Sequence, residues 1–105
     1  MSIKFVKFEV SGKVQGVFFR KYTKKFCEKY NVRGWVLNTD HRTVQGVLEG
    51  SEASVRSVKH WLQKVGSPKS RIDRCVFLDE KIVQTKQFSA FKIITDDQEV
   101  KMLTF

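Results

Sequence analysis

Long apolar runs are absent from this 105-residue chain, and so is any clustering of cysteines. No stretch approaches the length of a membrane-spanning helix. Met1-Ser2-Ile3-Lys4 opens the chain with no apolar run of signal-peptide length behind it. The two cysteines, Cys27 and Cys75, form no CxxC motif, which argues against zinc ligation and dithiol chemistry. Both read as reduced core residues. Proline is nearly missing, with Pro68 alone, and there is no repeat, low-complexity tract or interior linker. A single domain is expected, in a cytoplasmic protein. Acidic residues are also scarce. Twenty Lys and Arg against eleven Asp and Glu leave a net charge of +9, a surface that draws anions. Nucleic acid, anionic membrane and phosphorylated metabolites all suit that charge.

What the chain does have is hydrophobic patterning. Val6, Phe8 and Val10 alternate with Lys7 and Glu9, which predicts a half-buried strand over Ile3 to Val10. Beyond Phe18 the period changes. Phe19, Tyr22, Phe26, Cys27 and Tyr30 share one face of a helix, and Lys21, Lys24, Lys25, Glu28 and Lys29 fill the other. Gly34 to Asn38 and Thr43 to Glu49 read as a hairpin turned by Thr39-Asp40-His41-Arg42. Ser51 caps a second helix with Val55, Val58, Leu62 and Val65 as its buried stripe, ended by Gly66 and Pro68. Ile72 to Leu78 and Phe88 to Thr95 are the remaining strands. This order predicts an α+β fold, the ferredoxin-like βαββαβ sandwich, with an antiparallel sheet and two helices on one face. Such a fold hosts many functions and decides none.

One segment carries chemistry. Gly12 to Arg20, GKVQGVFFR, joins the first strand to the first helix. Free amides at a helix N-terminus, glycines that let the backbone curl, and the helix dipole together make a cradle for an anion. Arg20 stands in the first helical turn, where a cation is unfavourable unless an anion joins it. Its planar fork suits two phosphate oxygens. No Gly-Lys-Ser/Thr follows the glycines, so this is neither a Walker loop nor a dinucleotide fingerprint. On the pattern alone, an ordinary strand-helix turn with an exposed arginine is the plainer account.

The match extends further than that. GKVQGVFFR resembles the first signature of the acylphosphatase family, and GWVLNTDHRTVQG at Gly34 to Gly46 resembles the second. GSPKSRIDR at Gly66 to Arg74 and FSAF at Phe88 to Phe91 fit the same family in order and spacing. The resemblance runs from about Val6 to Ile94 and is nearest to the small, basic, metal-free organ-type enzymes of animals. It implies residues 1–95 as the family-like domain, with 96–105 as a tail. It implies hydrolysis of acyl phosphates to a carboxylate and inorganic phosphate, with no cofactor and no metal. Its phosphate-binding loop falls on Gln15, Gly16, Val17, Phe18, Phe19 and Arg20, whose backbone amides would hold the oxygens. Its essential arginine and asparagine fall on Arg20 and Asn38, with the hydroxyl of Thr39 in support. The implied partner is a small acyl phosphate, with no nucleic acid, no membrane and a monomeric chain.

The chemistry suits these residues. A carboxylate leaves readily, so no strong general acid is required, and phosphoryl transfer asks mainly for positioning and charge. The chain departs from the family at two places. Arg42 stands in the hairpin turn where glycine is usual, so another residue of the turn is expected to take the left-handed conformation. Ile94-Thr95 replaces a terminal Arg-Tyr pair and the chain runs on. The acidic start of that tail points to disorder rather than to cover for a sheet edge.

Other polar residues read more plainly. His41 is a solvated turn residue, His60 an exposed or packing one, and Lys69, Arg71 and Arg74 a solvated surface. Helical phase puts Phe19 in the core and leaves Phe18 open as a wall of an acyl pocket. Two rival functions share the composition. An RNA-recognition module has this topology, but Thr43 to Glu49 holds none of the aromatics of its RNP1 strand. An inactive phosphate sensor would use the same loop without turnover.

Overall fold

A computed structural model describes residues 2–105. The elements run β1 (Ile3–Lys13), α1 (Phe19–Lys29), β2 (Arg33–Asn38), β3 (Val44–Gly50), α2 (Glu52–Lys64), β4 (Arg71–Val83), β5 (Phe91–Ile94) and α3 (Asp97–Leu103). One five-stranded sheet has the order β4-β1-β3-β2-β5. β1 pairs antiparallel with β3 and β4, and β2 antiparallel with β3, which is the expected ferredoxin-like core. β5 adds to the outside of β2 in parallel, so the sheet is mixed at that edge.

Period-2 alternation in β1 divides the molecule into two apolar layers. Val6, Phe8 and Val10 are fully buried on the face that receives α1 and α2. The buried stripe of α1 is Phe19, Thr23 and Cys27. Tyr22, expected in that stripe, is 37% exposed. Thr23 takes the inner position because its hydroxyl donates to the Phe19 carbonyl at 2.7 Å, which satisfies it without water. In α2, Ser51 caps as expected, accepting from Ser54 N–H at 3.2 Å. Val65, expected to be buried, is the 56% exposed C-cap residue, and Trp61 fills the core instead, against the rings of Phe19 and Phe26. Gly66, at φ 69°, closes the helix by donating to the Trp61 carbonyl at 2.9 Å.

The tail corrects the sequence reading most. Residues 96–105 are ordered as α3 and its flanks, not disordered. The acidic start is the helix signal itself: Asp96 accepts from Glu99 N–H at 3.0 Å, and Asp97 and Glu99 lie in the positive first turn. Val100 and Leu103, three apart, then face the back of the sheet. There Phe5, Trp35, Leu37, Val47 and Ile94 form a second buried cluster. An uncovered face of that size would leave several large apolar side chains in water. Two helices therefore cover one face and a third covers the other.

Two strands differ in length from expectation. β4 continues to Val83 as an outer edge strand, with register shifts against β1 and Asp79 at φ 52°. β5 is confined to Phe91–Ile94, because the segment before it is held by the buried carboxylate of Glu49. That group accepts from Gln87 N–H at 2.9 Å, Phe88 N–H at 3.3 Å and Arg33 Nε at 3.1 Å.

Candidate active site

The loop between β1 and α1 is pinned from inside. Val14 and Val17 are buried, while Gly16 and Phe18 face outward between and beyond them. At its start Gly12 lies at φ 129° against β4, where a Cβ would strike the backbone carbonyl of Arg71. Gly16 at φ 75° and Phe18 at φ 59° bend the chain into a concave path. Phe18 is also the N-cap residue of α1, yet no side chain caps that helix and its first turn holds no acid. α2 and α3 have both a side-chain cap and an acid there. The first-turn amides of α1 are therefore open to an anion.

Arg20 sits in that same turn and, among the described residues, no carboxylate lies within ion-pair distance of it. With Gly16, Phe18, Phe19 and Lys21 it lines a cleft of about 330 Å³. The far wall is Asn38, the last residue of β2, together with Ile93 of β5 and Thr95 just beyond that strand. The Oδ1 of Asn38 is buried and has no hydrogen-bond partner in the protein. Buried polar atoms are nearly always paired, so an orphan of this kind in a cleft marks a place for a small polar guest.

The residues singled out in the sequence thus divide. Arg20, Asn38, Gly16, Phe18 and Phe19 meet at one cleft. Thr39 stands behind it. Its hydroxyl is 2.7 Å from Thr43 Oγ1 and accepts from Thr43 N–H at 3.0 Å, while its own N–H donates to the Thr43 carbonyl at 2.9 Å. Gln15 also turns away from the cleft with its side chain, donating to the Thr39 and Thr43 carbonyls at 2.9 Å each. Val17 is a buried anchor. Arg42 itself adopts φ 71°, so no neighbour takes the left-handed position in its place.

Several neighbours were not legible beforehand. Lys21 read as part of the solvated helix face, and Thr95 as the end of a strand; the cleft forms only when β5 pairs beside β2. His41 is the solvated turn residue expected, 61% exposed, and its Nε2 also lies 3.0 Å from Glu9 Oε2. Burial acts to raise the Glu9 carboxyl, but bonds from Thr43, Gln45 and His41 outweigh it and hold the group below 4.5. Alternation along β1 puts Glu9 on the back face, yet nothing in sequence marks its partners. Both cysteines are free; burial pushes the Cys27 thiol well up and the Cys75 thiol to about 12. Neither supplies a thiolate nucleophile near neutral pH. No helix among the described residues is long and apolar enough to cross a membrane.

Comparison with known proteins shows the family. The family model described as Acylphosphatase matches residues 6–93. Acylphosphatase-2 of Homo sapiens is 51% identical over 92 residues, covering 88% of this chain and 93% of that protein. Acylphosphatase-1 of Mus musculus is 51% identical over 89 residues, covering 85% and 90%. The crystal structure of acylphosphatase from Bacillus subtilis superposes with a TM-score of 0.80 at 28% identity, covering 88% of this chain and 99% of that one.

Proposed function

This chain belongs to the acylphosphatase family and hydrolyses acyl phosphates, and from that premise we propose how: a water oriented by Asn38 attacks a phosphate held by Arg20 and the Gly12–Arg20 loop. Backbone amides from Gln15 to Phe19 and the Arg20 guanidinium bind the phosphate oxygens. The Asn38 carboxamide accepts a hydrogen bond from the water and aims it along the line of the departing acyl oxygen. The P–O bond to the acyl group breaks as the water oxygen bonds to phosphorus. A carboxylate leaves with the bond's electron pair, and the water's protons pass to the phosphate product and solvent. The leaving group is the conjugate base of an acid with a pKa of roughly 4, so it needs no proton donor. No metal takes part in the proposed step; Arg20 and the loop amides supply the positive charge.

The observation that carries this reading is the buried, unpartnered Oδ1 of Asn38 across the cleft from Arg20. An acceptor without a partner suits a water, whereas a phosphate dianion, itself all acceptor, does not complete it. A small acyl phosphate fits the cleft, and a cytoplasmic, monomeric enzyme without a nucleic-acid partner is proposed. The test is hydrolysis of benzoyl phosphate in H₂¹⁸O. Turnover with the label in phosphate and inorganic phosphate as a competitive inhibitor is expected. Label in benzoate would place the attack at carbon and overturn the mechanism; phosphate binding without turnover would favour a sensor.

A further inference from the structure

Residues 96–105 lie outside the stretch matched by the family model, yet they reach the turn that follows Asn38. Val100, Lys101 and Thr104 share a groove with Asp40 and His41 of that turn. Beyond the groove, a chain of hydrogen bonds crosses the back of the sheet. The Phe105 N–H donates to Gln45 Oε1 at 2.9 Å. Gln45, only 2% exposed, therefore has its Nε2 turned the other way, and it donates to Glu9 Oε2 at 3.0 Å. The same oxygen accepts from Thr43 Oγ1 at 2.7 Å and pairs with His41 Nε2 at 3.0 Å.

Proton accounting fixes the direction of the rest. Thr43 has one hydroxyl proton, and the Glu9 carboxylate can only accept, so that proton points to Glu9. Thr39 Oγ1 is then the donor of its 2.7 Å pair with Thr43 Oγ1, with the Thr43 carbonyl at 3.2 Å as a second acceptor, while it accepts from Thr43 N–H. Thr39 is the residue after Asn38. One continuous relay thus joins the ring end of the tail to the strand end that bears the cleft's asparagine, on the sheet face opposite α1 and α2.

We propose that this relay is a brace. Phe105 and α3 fix Gln45, Gln45 fixes Glu9, and Glu9 sets the Thr39–Thr43 turn so that the Asn38 carboxamide keeps its aim. Gln45 and Glu9 are positioning residues; neither lines the cleft. The brace rests on the water-orienting role given to Asn38 above. Arg20 makes no bond to the relay, which meets the phosphate loop only through the Gln15 side chain, so loosening it should spoil attack more than binding. A packing role alone would lower stability without that separation.

The test compares benzoyl phosphate kinetics for five full-length or nearly full-length proteins: the parent, Gln45→Leu, a chain ending at Thr104, the two changes combined, and Asn38→Ala. The chain ending at Thr104 keeps α3 and lacks the donor together with the Phe105 ring, which lies 6.0 Å from the Trp35 ring, so it carries the test if Gln45→Leu does not fold. Expected for both changes is a fall in kcat of about tenfold, inside the roughly 10²-fold that an ångström of misplacement costs. KM and the inhibition constant of inorganic phosphate should stay within about twofold of the parent. The combined protein should be no slower than the slower single one, since both cut one relay. Parent-like kcat in the folded variants, additive losses, or kcat and KM worsening together would each overturn the brace. If Asn38→Ala is inactive while the others match the parent, the brace alone fails. A parent rate for Asn38→Ala sinks both it and the mechanism it serves.

Discussion

Gln15, inside the phosphate loop, donates its side-chain amide to the carbonyl of Thr39, the residue after Asn38, at 2.9 Å. A second bond of the same length goes to the Thr43 carbonyl. The half of the site that would hold phosphate is thereby tied to the half that would hold water. Gln15→Leu keeps the bulk and takes one donor from each carbonyl, leaving Thr39 O with the Arg42 N–H at 3.3 Å and Thr43 O with the Thr39 N–H at 2.9 Å. We expect a loss of about 1–3 kcal/mol in urea unfolding, together with a lower kcat on benzoyl phosphate. A folded Gln15→Leu protein of parent stability would mean that these bonds are exchanged for water without cost.

Arg20→Ala and Asn38→Ala should fail in different ways. Each removes an oriented group that meets the reacting phosphate or water, so a rate loss of about 10²–10³ is expected for both. Arg20→Ala should also weaken inhibition by inorganic phosphate, because it strips charge from the cradle. Asn38→Ala should leave that inhibition near the parent value. Circular dichroism should match the parent in both, as neither side chain belongs to the buried core.

Arg42 holds φ 71° in the hairpin turn, a conformation that costs a residue with a Cβ about 1–2 kcal/mol. Glycine relieves the strain but gives back part of the gain through a more disordered unfolded chain. Arg42→Gly should therefore raise stability by roughly 0.5–1 kcal/mol. Arg42→Ala should not, because alanine keeps the strain. Thermal melts of the two variants side by side decide the point, and equal melting temperatures would remove strain from the account.

Glu9 has its carboxyl held below 4.5 in the folded protein. A depressed value means the unfolded chain takes up the proton first as pH falls. The stabilisation from Glu9 is thus complete above about pH 4.5 and is lost as the pH drops through the folded value. Glu9→Gln should lower stability at pH 7 and flatten the acid side of the stability curve. Denaturant titrations between pH 3 and pH 7 measure this; parallel curves for parent and variant would exclude Glu9 as a source of acid sensitivity.

Glu49 is fully buried, and its carboxylate serves Arg33 and two backbone N–H groups. Glu49→Ala strands all three donors and should cost about 3 kcal/mol or more. The approach to β5 should loosen first, which amide exchange at Gln87 and Phe88 would report. Unchanged protection there would show that the segment is held by packing of Phe88 instead.

Local pattern made much of this fold legible. Alternation in β1, the Ser51 cap and the Gly66 stop each act within a few residues, and each formed as the sequence indicates. What escaped depends on partners far along the chain. Thr23 displaced Tyr22 from the core because a hydroxyl can satisfy itself on its own helix. Trp61 displaced Val65 because Phe19 and Phe26 offered it rings. The tail looked like a solvated acidic end because the apolar back face it covers is assembled from residues of four separate strands. Arg20 and Asn38 were found by motif, but Thr95 joins them only through the pairing of β5 with β2.

β4 is a thirteen-residue strand on the outer margin of the sheet. A straight edge of that length is a template on which other chains can polymerise. It is instead broken by a register shift towards each end, kinked at Asp79, and studded with Asp79, Glu80 and Lys81. Lys4, Lys7 and Lys59 pin the two acids of that stretch. At its other end, Arg71 and Asp73 pair along the strand itself. The longest strand of the molecule is thereby its poorest seed for fibrils, and charge-neutralising changes there are where resistance to aggregation would be lost without any loss of catalysis.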